Sequence, residues 1–311
     1  MNDTLDMLRY LACPATRQPL RREGMQTLVN QDGSHRYRIT PSGIPLFAEK
    51  LCSAEGRIQQ AHYDAVSQAY TANLNYPHTR VYSAYLDAAL RDALEGAALG
   101  DMAELCCGRG EALRLFDGAY RTGIGVDVSA AMLQAGHDEL PADRVALVQG
   151  DATMLPLRDD CFDSVLMLGG IHHVNDRVGL FREVRRILKP GGLFVWREPV
   201  SDFAPWRWLR AVIYRLSPAL DHETESPLRR AATMAHLAAA GLEARWWRTY
   251  GFFGFCVMMN SDVLVFNRAF RFLPGIEALT RGAVRLDEAT LTLPGLANAG
   301  LQVIGTARKP A

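Results

Sequence analysis

The sequence predicts an α/β protein, a mostly parallel sheet with helices on both faces, preceded by a small turn-rich module. Three observations carry this reading. Across 101–199, short apolar runs alternate with amphipathic stretches, the pattern of repeated strand–helix units. Before that, across 58–94, the apolar period is helical, with Tyr63, Val66 and Tyr70 at i, i+3, i+7. The first 50 residues are turn-rich instead, with DGS at 32–34 and PSGIP at 41–45. Composition therefore divides the chain into a module over 1–50 and an α/β domain over 51–311, with a helical lid insertion at about 200–230.

Each element follows from local chemistry. A second helical stretch, VYSAYLDAALRDAL, comes after Pro77. Strands are expected at MAELC (102–106), GIGVD (123–127), VALVQ (145–149), FDSVLML (162–168) and GLFVW (192–196). Helices are expected over 111–116, 129–140 and 178–188, with Ser129 as N-cap of the second and KPGG closing the third. Beyond Pro199 the period is helical to Gly241, and a final strand pair is expected near 245–251 and 301–307.

Composition excludes whole classes of function. Of 311 residues, 49% are hydrophobic and 22% charged, which rules out a mainly disordered chain. The 34 basic and 34 acidic side chains cancel, against a broad nucleic-acid surface. Six cysteines, at 13, 52, 106, 107, 161 and 256, show no CxxC pair, as expected of reduced thiols in a cytoplasmic enzyme. No signal peptide is visible and no run of ~18 apolar residues occurs.

In an open parallel sheet, ligands gather at the carboxyl ends of the strands. The first strand ends in ELCCGRG, placing Glu104, Gly108 and Gly110 at a turn where the absence of a Cβ lets a ligand approach the backbone. The second ends at Asp127, 23 positions after Glu104, the spacing of a carboxylate that accepts ribose hydroxyls. The third ends at Gly150–Asp151, where a carboxylate suits an exocyclic amine. Three acids at three strand ends describe a pocket for a nucleoside bearing positive charge. The dinucleotide fingerprint is incomplete, because Leu113 stands where its third glycine belongs.

AELCCGRGEAL, GVDVSAAML, VQGDATMLPLRDDCFDSVLML and REVRRILKPGGLFVWRE together resemble the successive motifs of class I S-adenosylmethionine (SAM)-dependent methyltransferases. The resemblance implies a Rossmann-like fold and SAM as cofactor, with S-adenosylhomocysteine as product and no metal. It implies that Glu104 and the Gly108–Gly110 turn face the methionine moiety, Asp127 the ribose, and Asp151 with Ala152 the adenine. By the same resemblance Leu168 flanks the cofactor, and Tyr63 and Tyr70 close over its methionine end, core packing being the other reading of both tyrosines. The chain departs from the pattern at Cys106, where the family's first loop glycine belongs.

LACPATRQPL and RYRITPSGIPLF resemble the zinc-ribbon-like module that precedes some ribosomal RNA methyltransferases. A tetrahedral zinc site needs four ligands. Cys13 with a distant His35 does not supply them, so a degenerate, metal-free module is expected.

An activated methyl needs alignment more than acid catalysis. Orientation supplies ~7–11 kcal/mol, a general base roughly 3–5 kcal/mol. His172 and His173, in LGGIHHV after the fourth strand, are the candidate bases, with a structural role as the other reading. The NPPY-type loop of base-amino methyltransferases is absent here, against a DNA adenine target. Glu198, Tyr250 and Phe253 are candidate substrate contacts. Along 206–216, Trp206, Trp208, Leu209, Val212, Ile213 and Leu216 are expected on one helix side and Arg207, Arg210, Tyr214 and Arg215 on the other, giving a lid or a membrane- or lipid-facing helix. The reading that results is methyl transfer from SAM to a small hydrophobic or aromatic acceptor, in a setting such as secondary metabolism. Ribosomal RNA methylation, a non-methyl use of SAM such as its cyclisation, and a catalytically inactive SAM-binding protein stay open as alternatives.

Overall fold

A computed structural model describes residues 6–94, 96–216, 226–259 and 265–311, with the side chains of 66–74, 210, 212–216 and 265 left aside. Four short strands open the chain: β1 (Leu20–Arg22), β2 (Thr27–Asn30), β3 (Arg36–Ile39) and β4 (Pro45–Leu46). Helices α1 (Ala54–Leu74) and α2 (Pro77–Ala93) follow. Then come β5 (Asp101–Leu105), α3 (Glu111–Leu115), β6 (Thr122–Asp127), α4 (Ala130–His137), β7 (Val145–Gln149), β8 (Phe162–Leu168), α5 (Arg177–Ile187) and β9 (Leu188–Pro199). The C-terminal part comprises α6 (Ala204–Leu216), α7 (Arg230–Ala239), β10 (Glu243–Tyr250), α8 (Phe253–Met259), a 3-10 segment (Val265–Phe272), α9 (Ile276–Leu291) and β11 (Gln302–Arg308).

These strands form one sheet in the order β1-β2-β3-β4-β7-β6-β5-β8-β9-β11-β10. From β4 to β9 all neighbours are parallel, whereas β9–β11–β10 and β1–β4 are antiparallel. The chain enters at β5, runs outward through β6 and β7, and returns to the other side of β5 at β8. The crevice between β5 and β8 is thus the topological switch point, where ligands of such sheets bind.

Side-chain alternation splits the interior into two layers. Leu105, Val126, Val148, Met167 and Trp196 face one way, onto α5, α7 and the N-terminal ribbon. Met102, Leu147, Leu166 and Val195 face the other, onto α2, α3, α4, α8 and α9. The strand and helix expectations across 101–199 hold in order, and Ser129 caps α4 by accepting from Met132 N (3.1 Å). KPGG does stop α5, but its residues are absorbed into a longer β9.

The N-terminal strands are more integrated than their composition implies. Tyr10, Leu11, Cys13, Leu28, Tyr37 and Phe47 are buried in the same core as the central strands. Phe47 N also donates to Gln149 O (3.0 Å), which places β4 on the outer edge of β7. At the other end, the fully buried Asp287 of α9 ties α2 and α8 together. Its Oδ2 accepts from Tyr82 Oη (3.0 Å), Phe252 N (2.8 Å) and Phe255 N (2.8 Å), and its Oδ1 from Gly254 N (2.9 Å). Among the described residues, no helix is long and apolar enough to cross a membrane.

Candidate active site

A cavity of about 290 Å³ opens at the carboxyl ends of β5 to β8. Of the expected cofactor residues, Glu104, Cys106, Gly108, Asp127, Asp151, Ala152, Leu168 and Tyr63 all line it. Gly110 stands just behind as N-cap of α3, with φ +80° that glycine alone adopts cheaply. Tyr70 lies on α1, but its side chain falls outside the described residues.

Each carboxylate is held by backbone N–H groups. Glu104 reaches across to the start of α3, where its oxygens accept from Ala112 N (2.8 Å) and Leu113 N (3.0 Å). Burial nonetheless pushes its pKa up to about 8. Asp127 accepts from Ser129 N and Gly108 N, both at 2.8 Å, so it fixes the glycine turn as well as facing the cavity. Burial raises it to about 6; those two N–H groups pull the other way, and the nearby Asp64 carboxylate adds to the rise. Asp151 is also desolvated, but donors from Ser53 and Thr153 outweigh that and hold it below the ordinary carboxylate range.

Cys106 occupies the left-handed region, with φ +50°. A Cβ there costs about 1–2 kcal/mol. Gly170 answers it from the loop after β8: a Cβ on Gly170 would lie 2.5 Å from Cys106 Cβ. The bulk removed from one wall is restored on the other. Gly170→Ala should therefore lower the Tm by several degrees, and Cys106→Gly in the same chain should recover at least half of that loss. Thermal melts of the two single variants and the double variant measure the coupling directly.

The two histidines separate. His173 lines the cavity, with Nε2 2.9 Å from the Tyr63 hydroxyl of α1. His172 turns away from the cavity, its Nδ1 2.8 Å from Glu198 Oε2, and the two imidazoles are 3.9 Å apart. Glu198 is fully buried and does not open onto the cavity. Its carboxylate accepts from Gly170 N (2.7 Å), Ile171 N (2.8 Å) and His172 N (3.4 Å). The expectation of a substrate contact at Glu198 is corrected accordingly: every near donor belongs to the loop it anchors. Neighbouring Arg197 points to the opposite layer, pairing with Asp87 and with the cavity residue Glu111, both at 2.6 Å.

The other expected substrate contacts also lie elsewhere. Tyr250 lines a separate groove with Tyr85, Trp246 and Arg248, and Phe253 projects into solvent at the start of α8. On α6, Trp206 packs on Phe252 and donates to Ala299 O (2.8 Å), whereas Trp208 is 71% exposed. Residues two positions apart on a helix are separated by about 200°, so the two tryptophans do not share a side. The side chains of Arg210, Val212, Ile213, Tyr214, Arg215 and Leu216 lie outside the described residues.

Sequence reasoning missed the N-terminal wall. Ser53, Gly56 and Gln59 line the cavity; Ser53 N donates to Asp151 (2.8 Å), and a Cβ on Gly56 would come within 2.7 Å of the same carboxylate. A glycine in the first turn of a long helix was the available signal.

Residues 103–196 match the family model described as a methyltransferase domain. That segment contains Glu104, the Gly108 turn, Asp127, Asp151 and both histidines. A demethylmenaquinone methyltransferase of Staphylococcus aureus (strain MRSA252) is 37% identical over 106 residues, 33% of this chain and 44% of that protein. The chain thus spans less than half the length of the curated relatives it matches. Among solved structures, the (4+2)-cyclase SpnF aligns with a TM-score of 0.58 at 21% identity, covering 86% of this chain and 99% of that one. Phosphoethanolamine N-methyltransferase 2 of Haemonchus contortus, in complex with S-adenosyl-L-methionine, aligns with a TM-score of 0.53 at 16% identity, covering 86% of this chain and 62% of that one. At these identities the structural likenesses speak to the fold.

Proposed function

We propose that the protein transfers a methyl group from SAM to a small hydrophobic or ring-bearing acceptor. The observation that carries this is the meeting of Asp127, Asp151 and the Gly108 turn in one cavity at the switch point, inside the segment that matches a methyltransferase domain. The hydrogen-bond acceptors suit SAM: two strand-end carboxylates for ribose hydroxyls and a purine amine, in a cavity close to the ~300 Å³ lower bound for small-molecule sites. When bound, SAM supplies a methyl already activated on a sulfonium.

The chain's own contribution is orientation. Asp127 and Asp151 are pre-formed acceptors held by backbone donors, so little reorganisation is needed on binding. His173 lines the cavity with its Nε2 engaged by the Tyr63 hydroxyl, and we assign it to the wall that the acceptor meets. His172 and Glu198 fix the loop that carries it. The demethylmenaquinone methyltransferase likeness covers 33% of this chain, and a ring-bearing apolar acceptor is the reading it favours. SpnF shares the fold under the description of a (4+2)-cyclase, so the methyl outcome rests on a product assay rather than on architecture. The first test is calorimetric titration with SAM and S-adenosylhomocysteine. Micromolar binding of both is expected, and binding of neither would sink the proposal.

Two further results are expected. Ribose hydroxyls donate to the ionised form of Asp127, so protonation competes with binding. With a pKa of about 6, the part of SAM affinity owed to Asp127, read as the wild type against Asp127→Asn so that the Glu104 titration near 8 cancels, should be flat above pH 7 and fall towards tenfold per unit below pH 6. Titrations of both proteins at stepped pH check this; the same ratio at pH 5 and pH 8 contradicts it. Glu198→Gln presents one acceptor where the carboxylate presents two. It should lower both the thermal midpoint and turnover, turnover by about tenfold, and Glu198→Asp, one methylene short, should not restore either.

A further inference from the structure

We infer that the groove between α2, β10 and α9 is a second ligand site, separate from the cofactor cavity, and that it takes a protonated amine carrying a flat apolar body. The groove measures about 500 Å³. Helix α2 contributes Tyr85 and Asp92, two turns apart, with three alanines on the same wall whose small side chains leave the space open. The edge strand β10 contributes Trp246, Arg248 and Tyr250, alternate residues that share one face of the sheet. Helix α9 adds Glu288.

The groove holds polar groups that the fold leaves unmatched. Tyr250 is only 5% exposed, yet its hydroxyl makes no hydrogen bond among the described residues. A phenol buried to that degree ordinarily finds a partner. The carboxylates of Asp92 and Glu288 are likewise without a hydrogen bond or ion pair among the described residues. Both act on the same hydroxyl. Burial raises the Tyr250 pKa first, Arg248 pulls it down, and Asp92 and Glu288 add to the rise. Glu288 acts on Tyr85 in the same sense, after burial. The two acids, the phenols and the rings therefore address one space.

Charge and shape select the occupant. Two carboxylates line the groove against one guanidinium, so its lining is negative by one charge. Arg91 and Arg285, on the same two helices, do not line it, and Arg91 reaches instead to Leu115 O (3.2 Å). Arg248 pairs with neither acid; its guanidinium lies 5.2 Å from the Tyr250 ring centroid, a cation drawn to a π face. A ligand ammonium would be drawn in the same way, and would find two carboxylates and the Tyr250 hydroxyl as acceptors. The Tyr85 and Tyr250 rings meet edge to face at 6.0 Å, and with Trp246 they give apolar walls for a flat body. An anion would be repelled by both carboxylates, and a neutral molecule would leave them unmatched.

The test is calorimetric titration of the full chain with 2-phenylethylamine, with and without saturating S-adenosylhomocysteine, against 2-phenylethanol and phenylacetate as the neutral and anionic analogues. Amine binding is expected in both conditions, with each analogue weaker by about tenfold or more. Asp92→Asn/Glu288→Gln should weaken the amine by about tenfold, and Tyr250→Phe by about threefold. Arg248→Ala should tighten it, because a competing cation leaves the ring. An unchanged thermal midpoint in each variant shows an intact fold. No binding of the amine, or equal binding by the acid variant, overturns the site. So does preferred binding of phenylacetate that Arg248→Ala abolishes, because the guanidinium then holds an anion. Displacement of the amine by S-adenosylhomocysteine places it in the cavity and overturns the groove as well. The groove shares no lining residue with the cavity, so a failure of S-adenosylhomocysteine to bind bears on the function proposed above and leaves the amine result standing.

Discussion

Asp287→Ala should destabilise the protein by about 3–5 kcal/mol, the largest stability effect expected of any single polar substitution here. The carboxylate is buried and serves four donors, three of them backbone N–H groups at the start of α8. Truncation strands all four where water does not reach them easily. Asp287→Asn should be milder, about 1–2 kcal/mol, because an amide oxygen in place of Oδ2 keeps three donors while its NH2 confronts Gly254 N. SAM affinity should be unchanged in both, since Asp287 does not line the cavity. Denaturant melts together with SAM titration separate the two effects. A small loss of stability in Asp287→Ala would mean that water replaces the carboxylate.

Asp127→Ala should weaken SAM binding by at least about tenfold, that is ~1.4 kcal/mol or more. Two contributions add: the acceptor for the ribose is removed, and Gly108 N and Ser129 N lose the partner that shapes the turn. Asp127→Asn distinguishes them. Its amide oxygen can keep one N–H partner, so a variant that holds the turn yet still binds poorly locates the loss at the ligand. Retention of full affinity in Asp127→Ala removes the ribose assignment.

The central sheet was legible because its strands are long enough to show alternation and its helices long enough to show a 3.6-residue period. The acids at the ends of β5, β6 and β7 were legible for the same reason, since a strand's last residue can be counted. What stayed hidden has physical causes. Strands of two to four residues, as in the ribbon, give no period, and the pairing of Leu46 with Gln149 spans a separation no local pattern reports. Glu198 was misread because a strand-end carboxylate faces either a ligand or the underside of the next loop, and local sequence does not say which. The split between His172 and His173 depends on that same carboxylate. Helix α9 did carry a sequence signal, with Gly275 before it and buried positions at 276, 280, 284 and 287.

The placement of β4 beside β7 bears on how the chain reaches its native state. A parallel sheet built outward from β5 would leave β7 as a bare edge, a ready template for pairing with another chain. Here the first fifty residues close that edge. Because they are made before their partner strand, which arrives about a hundred residues later, the cap must wait for what it protects. A chain lacking 1–50 would expose β7 together with the apolar layer beneath Tyr10, Leu28 and Tyr37, and its failing would be loss to aggregates well before any loss of chemistry.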